Sequence, residues 1–227
     1  AAGDEFAAQN PDVKFTYSGT GSSDGIKGAT EGTYAFGCAS RELKDEEKSG
    51  LTELVFAYDG IAVIVNDENP VEDLTKDQIK AIYTGKITNW KEVGGEDRPI
   101  AVVSREDGAG TRTAVEELLD FTEQLKPSAT VKEGNGNVQS TVSANPNAIG
   151  YASVASAGDT VKMISVEGVR PTTDTIQDGE YKVQRNFVLV TKEDTALSRA
   201  AQEFFDFATS EQADSLIREA GAVPVKR

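Results

Sequence analysis

Residues 104–112, Ser-Arg-Glu-Asp-Gly-Ala-Gly-Thr-Arg, carry the residue types of an oxyanion-binding turn. They follow an apolar run at 100–103 and precede a helical pattern at 113–121, which predicts a strand, a glycine turn and a helix start. The first N–H groups of a helix lack intrahelical acceptors and, together with the helix dipole, favour a bound anion. Arg105 adds a planar set of donors, and Asp107 is its expected partner. An ordinary strand-to-helix turn with surface charges is the alternative interpretation.

A second glycine-rich segment, residues 18–26, has the same organisation. Alternating apolar residues at 13–17 predict a strand before it, and residues 26–30 predict a helix after it. The hydroxyl groups of Ser22 and Ser23 are suited to donate to an oxyanion or to cap the helix, and we expect both roles. Two such segments in one chain favour anion binding over two unrelated turns.

The composition excludes several classes of function. The 227 residues include no histidine and one cysteine, which removes serine–histidine catalysis, histidine metal ligation and an internal disulfide. The net charge of −15 argues against nucleic acid and anionic membranes as partners. The acidic pairs at 46–47 and 116–117 lie in charge-rich helical patterns, so we expect both pairs to face solvent. The composition therefore argues against most hydrolase mechanisms, and we expect a protein that is not an enzyme and has no cofactor and no metal site. An enzyme that uses Asp or Glu with Arg105 on a phosphoester is the alternative.

Strand and helix patterns alternate along the chain and predict an α/β fold. Helices are predicted at residues 1–10, 26–30, 44–49, 76–83, 113–121, 138–144, 196–209 and 211–220. Strands are predicted at residues 13–17, 34–38, 51–57, 61–65, 100–103, 130–132, 149–151, 161–166 and 181–191. No linker composition separates two domains, so a two-lobed protein requires the chain to cross between lobes on strands. Residues 58–65 and 182–190 are the best candidates for these crossings.

The chain resembles the phosphate-binding proteins of ABC-type phosphate importers, which are periplasmic-binding-protein-like receptors. Besides the two glycine-rich segments, the resemblance rests on residues 36–43, 59–66, 82–90, 145–153 and 221–225, and it covers nearly the whole chain. It implies a type II fold of two α/β lobes with a mixed sheet in each. The first lobe comprises residues 1–60 and 189–227, and the second comprises residues 61–188. The resemblance also implies a ligand cleft between the lobes that closes around phosphate.

The resemblance further implies which residues bind phosphate. The residues matched to the family's site are Ser22, Ser40 and Arg41 in the first lobe, and Arg105, Asp107, Ala109, Gly110 and Thr111 in the second. Among them, Asp107 matches the acid that positions the arginine. Ala109 stands where the family commonly has serine, so only a backbone N–H remains at that position.

We assign Asp59 a separate role on chemical grounds. Phosphate keeps a proton near neutral pH that sulfate lacks, so a carboxylate acceptor favours phosphate. Asp59 is the hypothetical acceptor, and the alternative is that it caps a turn before Gly60.

The function implied by the resemblance is extracytoplasmic capture of inorganic phosphate and its delivery to the transmembrane subunits of an ABC importer. The expected protein is a monomer in the periplasm or a lipoprotein on the outer face of the cell membrane, and this sequence carries no export signal. The family's first strand and its Gly-Ser-Thr-Ser-like loop precede the helix at residues 1–10 and are absent from this sequence. A receptor for another oxyanion, or a truncated or engineered chain with weakened phosphate binding, is the alternative.

Overall fold

The computed structural model describes residues 2–17 and 22–226. The helices are α1 (Ala2–Gln9), α2 (Ser22–Glu31), α3 (Lys76–Tyr83), α4 (Gly110–Leu118), α5 (Gly134–Ser143), α6 (Thr173–Gln177), α7 (Arg199–Ala208) and α8 (Asp214–Glu219). The strands are β1 (Gly37–Ala39), β2 (Leu51–Val65), β3 (Asp73–Leu74), β4 (Ala101–Arg105), β5 (Thr130–Lys132), β6 (Ala148–Ser153), β7 (Lys162–Met163), β8 (Ser165–Val166), β9 (Gln184–Lys192) and β10 (Val223–Pro224). Within the described ranges, none of the helices combines the length and apolar character that crossing a bilayer requires.

The chain divides into two compact units. Unit 1 comprises residues 1–59 and 185–227, and unit 2 comprises residues 60–184. The chain therefore passes from one unit to the other within β2 and within β9. The boundaries expected from the sequence lay after residue 60 and after residue 188. Arg185 accordingly belongs to unit 1, whereas those boundaries had put it in the second lobe.

Unit 1 is built on antiparallel strand pairs with helices packed against them. Strand β1 pairs with β9, and β10 pairs with the unit 1 part of β2. Helices α1 and α7 pack through Phe6 and Phe204, whose ring centroids lie 5.4 Å apart. A second buried cluster lies between α2 and the strands; it contains Ile26, Ala29, Ala39, Leu43, Leu51, Val188 and Val190. This cluster fixes the position of α2, on which the first candidate site residue lies.

Close backbone packing brings α2 onto β1. A Cβ atom at Gly37 would lie 2.3 Å from the carbonyl oxygen of Gly25, and a Cβ atom at Gly25 would lie 2.9 Å from the carbonyl oxygen of Cys38. Only glycine permits this approach at both positions. The two glycines therefore set the distance between the start of α2 and the end of β1.

Unit 2 contains a mixed sheet. The unit 2 part of β2 pairs antiparallel with β6, which pairs parallel with β4, and β4 pairs parallel with β5. Helix α5 covers this sheet through Val138 and Val142, which pack with Ile64 and Val103 in one buried cluster. These apolar contacts and the pairing with β6 and β5 fix the position of β4, from whose carboxyl end the turn at 106–109 leaves.

The predicted α/β class is confirmed, and several elements lie where the sequence placed them. Helix α3 covers the predicted residues, with Thr75 forming the N-terminal capping box. Three predictions were wrong: residues 13–17 form no strand, residues 44–49 form a 3₁₀ turn at Asp45–Glu47 and no α-helix, and β2 continues through Asp59 and Gly60 without a turn. Strand β2 continues there because Tyr58 pairs with Val223 and Ile61 pairs with Ser153, which satisfies the backbone on each side.

Candidate functional site

In unit 2, the turn between β4 and α4 leaves a helix N-terminus open. Gly108 has a φ of +80°, and Ala109 precedes the helix with extended backbone and no capping side chain. The first helical hydrogen bond runs from the Thr113 N–H to the Ala109 carbonyl at 3.0 Å. The backbone N–H groups of residues 110–112 thus have no acceptor among the described residues. Three such donors at the start of a nine-residue helix suit an oxyanion.

Arg105, the last residue of β4, has part of its guanidinium donor set uncommitted among the described residues. Its Nε and Nη2 each donate to a carboxylate oxygen of Glu106 at 2.8 Å, and its Nη1 donates to Oδ1 of Asn135 at 2.6 Å. Arginine has five N–H groups, so one remains on each Nη. The Arg105 hydrogen bonds lower the pKa of Glu106 to about 2, which keeps the carboxylate ionised and the arginine in place.

The partner of Asp107 differs from the one predicted. Asp107 pairs with Nη1 of Arg112 at 2.5 Å and is almost fully exposed, whereas Glu106 holds Arg105. Glu106 takes the role predicted for Asp107 because Glu106 directly follows the end of β4, whereas Asp107 lies in the turn itself. Ala109 also differs from expectation, since its backbone N–H donates to the Glu106 carbonyl at 3.2 Å and closes the turn.

A buried ion pair supports the turn from the helix side. Nε of Arg112 donates to Oε1 of Glu116 at 2.7 Å, and Nη1 of Arg112 lies 3.3 Å from the Arg105 carbonyl. Glu116 is only 6% exposed, which corrects the prediction that the acidic pair at 116–117 faces solvent. Tyr151 completes the support, because its hydroxyl accepts from the Arg105 N–H at 3.1 Å. Both backbone polar groups of Arg105 are therefore engaged.

In unit 1, Ser22 and Ser40 lie in contact. Ser22 is the first residue of α2, and Ser40 follows β1. The Ser40 N–H donates to Oγ of Ser22 at 3.1 Å, and the two Oγ atoms lie 3.4 Å apart. Residues 18–21, which belong to the glycine-rich segment of the prediction, lie outside the described residues.

Arg41 is next to this serine pair, but its terminal N–H groups are already occupied. Its two Nη atoms donate to the carboxylate oxygens of Glu47 at 2.7 and 2.9 Å, to the Glu42 carbonyl at 3.0 Å and to Oγ of Ser23 at 3.2 Å. The Arg41 hydrogen bonds lower the pKa of Glu47 to about 2. Glu47 therefore does not face solvent as a free charge, contrary to the prediction for the acidic pair at 46–47.

Asp59 forms a buried ion pair with Arg185. Nε and Nη2 of Arg185 lie 3.1 and 3.0 Å from the same carboxylate oxygen, Oδ2. Desolvation raises the pKa of Asp59 despite the opposing effect of Arg185. Because β2 is continuous here, the alternative in which Asp59 caps a turn is wrong.

Sequence reasoning missed Glu106, Glu116, Asn135 and Arg185. The Arg112–Glu116 spacing of four residues on one helix was a readable signal for an ion pair. No local pattern marks Asn135 or Arg185, because their partners lie 30 and 126 residues away in the chain.

The candidate residues of each unit offer hydrogen-bond donors. The described residues contain no group of three or more cysteine, aspartate and glutamate side chains placed to hold a metal ion. Backbone N–H groups, hydroxyls and guanidinium N–H groups are donors that match the acceptor oxygens of a tetrahedral oxyanion.

Comparison with known proteins finds relatives that belong to one group of binding proteins. The model of the PBP superfamily domain matches residues 1–212. The phosphate-binding protein PstS of Bacillus subtilis is 36% identical, over 99% of this chain and 76% of that protein. A solved structure from Clostridium perfringens, named for a phosphate ABC transporter and containing bound phosphate, is 46% identical with a TM-score of 0.73, over 99% of this chain and 93% of that one. A solved structure of an ABC-type phosphate transport receptor from Vibrio cholerae is 36% identical with a TM-score of 0.87, over 98% of this chain and 93% of that one. This chain therefore belongs to the PBP superfamily and, within it, to the family of the phosphate-binding protein PstS.

Proposed function

We propose that this chain is a phosphate receptor that captures inorganic phosphate outside the cytoplasm and delivers it to the transmembrane subunits of an ABC importer. It works as a monomer and performs no catalytic step. The names of its relatives support this proposal, since they include a phosphate-binding protein and a structure with bound phosphate. The hydrogen-bond donors of the site residues agree with it.

The observation that carries the proposal is the open start of α4 together with the uncommitted guanidinium donors of Arg105, five residues before it. Three backbone N–H groups and two guanidinium N–H groups lie within one short segment without acceptors among the described residues. A negatively charged oxyanion satisfies several of these donors at once, and charge-assisted hydrogen bonds are the stronger ones. The overall charge of −15 opposes anion binding only weakly, because salt screens the surface charges that lie more than about 8–10 Å from the bound anion.

Each candidate residue has a proposed role. The candidate phosphate-binding residues are Ser22, Ser40 and Asp59 in unit 1, and Arg105, Gly110 and Thr111 in unit 2. Arg41, Asp107 and Ala109 support these residues, because their own polar groups are engaged with Glu47, Arg112 and the Glu106 carbonyl.

Isothermal titration of the purified chain with phosphate, arsenate and sulfate tests the proposal. Phosphate and arsenate, which share shape and protonation, should bind, and sulfate should bind far more weakly. Arg105→Met should weaken phosphate binding by roughly 10- to 100-fold, since it removes hydrogen bonds to a charged ligand.

Arg98→Met is the matched control in unit 2. Arg98 is half exposed and pairs with Glu96, so phosphate binding should be unchanged in this variant. An absence of phosphate binding in the unmodified chain contradicts the proposal. Tighter binding of sulfate than of phosphate favours a receptor for another oxyanion.

A further inference from the structure

Asp59 presents one engaged and one unengaged carboxylate oxygen. Arg185 donates to Oδ2 through both Nε and Nη2, whereas no described residue donates to Oδ1. Asp59 is only 6% exposed. Because Asp59 is largely shielded from solvent, a ligand that brings a donor to Oδ1 gains a charge-assisted hydrogen bond there.

Arg185 links this carboxylate to the serine pair of unit 1. Its Nη1 lies 3.5 Å from Oγ of Ser40, at the outer limit of a hydrogen bond. Ser40 in turn is bonded to Ser22. A contact this long is readily exchanged for a shorter one to an anionic oxygen, because charge-assisted hydrogen bonds are stronger than a guanidinium–hydroxyl contact at this distance.

The position of Arg185 is itself fixed. Its guanidinium carbon lies 5.5 Å from the centroid of the Phe187 ring. Residues two apart on a strand point to the same face, so β9 brings the ring and the guanidinium together. Arg185 is mostly buried as well. Because the Phe187 ring contacts the Arg185 guanidinium, the guanidinium has a defined position, and its two bonds to Oδ2 orient the Asp59 carboxylate.

We propose that Arg185 is a specificity-determining positioning residue for phosphate. It holds Oδ2 of Asp59 so that Oδ1 accepts the proton of the bound phosphate, and its Nη1 donates to a phosphate oxygen beside Ser40. This inference rests on the proposed function. It makes discrimination against sulfate depend on Arg185, which sequence reasoning placed in neither the site nor this unit.

The test compares phosphate and sulfate affinities of Arg185→Lys and Arg185→Met by isothermal titration. Lysine keeps the charge but cannot provide the paired Nε and Nη2 donors. We expect the phosphate-over-sulfate affinity ratio to fall about tenfold or more in both variants, in keeping with the cost of a misplaced charged hydrogen bond. Arg199→Lys, an almost fully exposed arginine of unit 1, is the matched control and should keep the ratio.

A double-mutant cycle with Asp59→Asn separates positioning from a general loss of stability. If Arg185 acts through Asp59, the effects of the two substitutions on the affinity ratio are strongly non-additive. Arg185→Lys carries the test if Arg185→Met does not fold. An unchanged ratio in folded Arg185→Lys, or additive effects in the cycle, overturns the inference while the phosphate receptor stands. Failure of the unmodified chain to bind phosphate overturns both.

Discussion

Unit 2 carries its candidate residues on one continuous turn, whereas unit 1 collects its candidates from separate elements. Arg105 ends β4, and Gly110 and Thr111 are the first two residues of α4. Ser22 and Ser40, by contrast, lie at the start of α2 and after β1, and the Asp59–Arg185 pair joins β2 to β9. The comparison shows that candidates carried by one segment are predicted together from sequence, whereas a partner that comes from a distant strand, such as Arg185, is not.

The two units also use different means to hold their residues in place. In unit 2 a buried ion pair, Arg112 with Glu116, supports the turn. In unit 1 the close approach of Gly25 and Gly37 sets the distance between the serines. Substitutions that remove a charge and substitutions that add a side chain change the free energy of unfolding by different amounts, so the distinction can be tested directly.

The largest effect is expected from Glu116→Gln in unit 2. Removing one charge of a buried pair leaves the other without full compensation, so we expect a loss of about 3 kcal/mol in the free energy of unfolding. Urea unfolding measures it. The neighbouring variant Glu117→Gln is the control, because Glu117 is exposed and should change stability by less than about 0.5 kcal/mol. Equal effects at the two positions would show that the ion pair does not hold the turn.

A smaller loss, about 2 kcal/mol, is expected from Gly37→Ala in unit 1. The added Cβ atom would meet the Gly25 carbonyl oxygen at 2.3 Å, so α2 and β1 must separate. Gly136→Ala is the control in unit 2, because a Cβ atom there meets no neighbour and alanine favours a helix by up to about 1 kcal/mol. Urea unfolding of both variants decides the matter, and a neutral Gly37→Ala would contradict the role of backbone packing.

The smallest effect is the loss of folding stability at low pH, and it should be similar in the two units. Hydrogen bonds from Arg105 and Arg41 lower the pKa of Glu106 and of Glu47 to about 2, from an ordinary value of 4.5. Because both values are depressed, each ionised carboxylate stabilises the folded chain fully above pH 4.5. That contribution disappears as the pH falls toward about 2.

Urea unfolding across this pH window, in phosphate-free buffer, tests the expectation. Glu106→Gln and Glu47→Gln should each lose less stability on acidification than the unmodified chain, and the double variant should lose least. A single variant whose stability falls as steeply as that of the unmodified chain would show that its carboxylate is not clamped by arginine.

Local signals predicted elements well where the residues that stabilise them are close in sequence. Helix α3 was predicted from its own apolar face and its capping threonine, both of which lie within a few residues. The alternating residues at 13–17 form no strand, because a strand requires hydrogen-bond partners that alternation alone does not supply. No turn forms at Asp59 and Gly60, because strands that are distant in sequence pair with β2 on both sides of these residues and keep it extended.

The same principle applies to the charged residues. An acidic pair looks solvated in sequence, yet Glu116 is buried and Glu117 is exposed, because only one face of α4 packs against the sheet. Asp107 seemed the natural partner of Arg105, but Glu106 is the residue whose carboxylate reaches the guanidinium from the end of β4.

The sequence by itself determined the α/β class, the phosphate-receptor resemblance and the turn at 104–112, since each depends on residues that are neighbours in the chain. Only the tertiary structure decided which acid holds which arginine and which donors remain unengaged. The pairing of Asp59 with Arg185 spans 126 residues, and an ion pair of that separation exists only once β2 and β9 are folded into place.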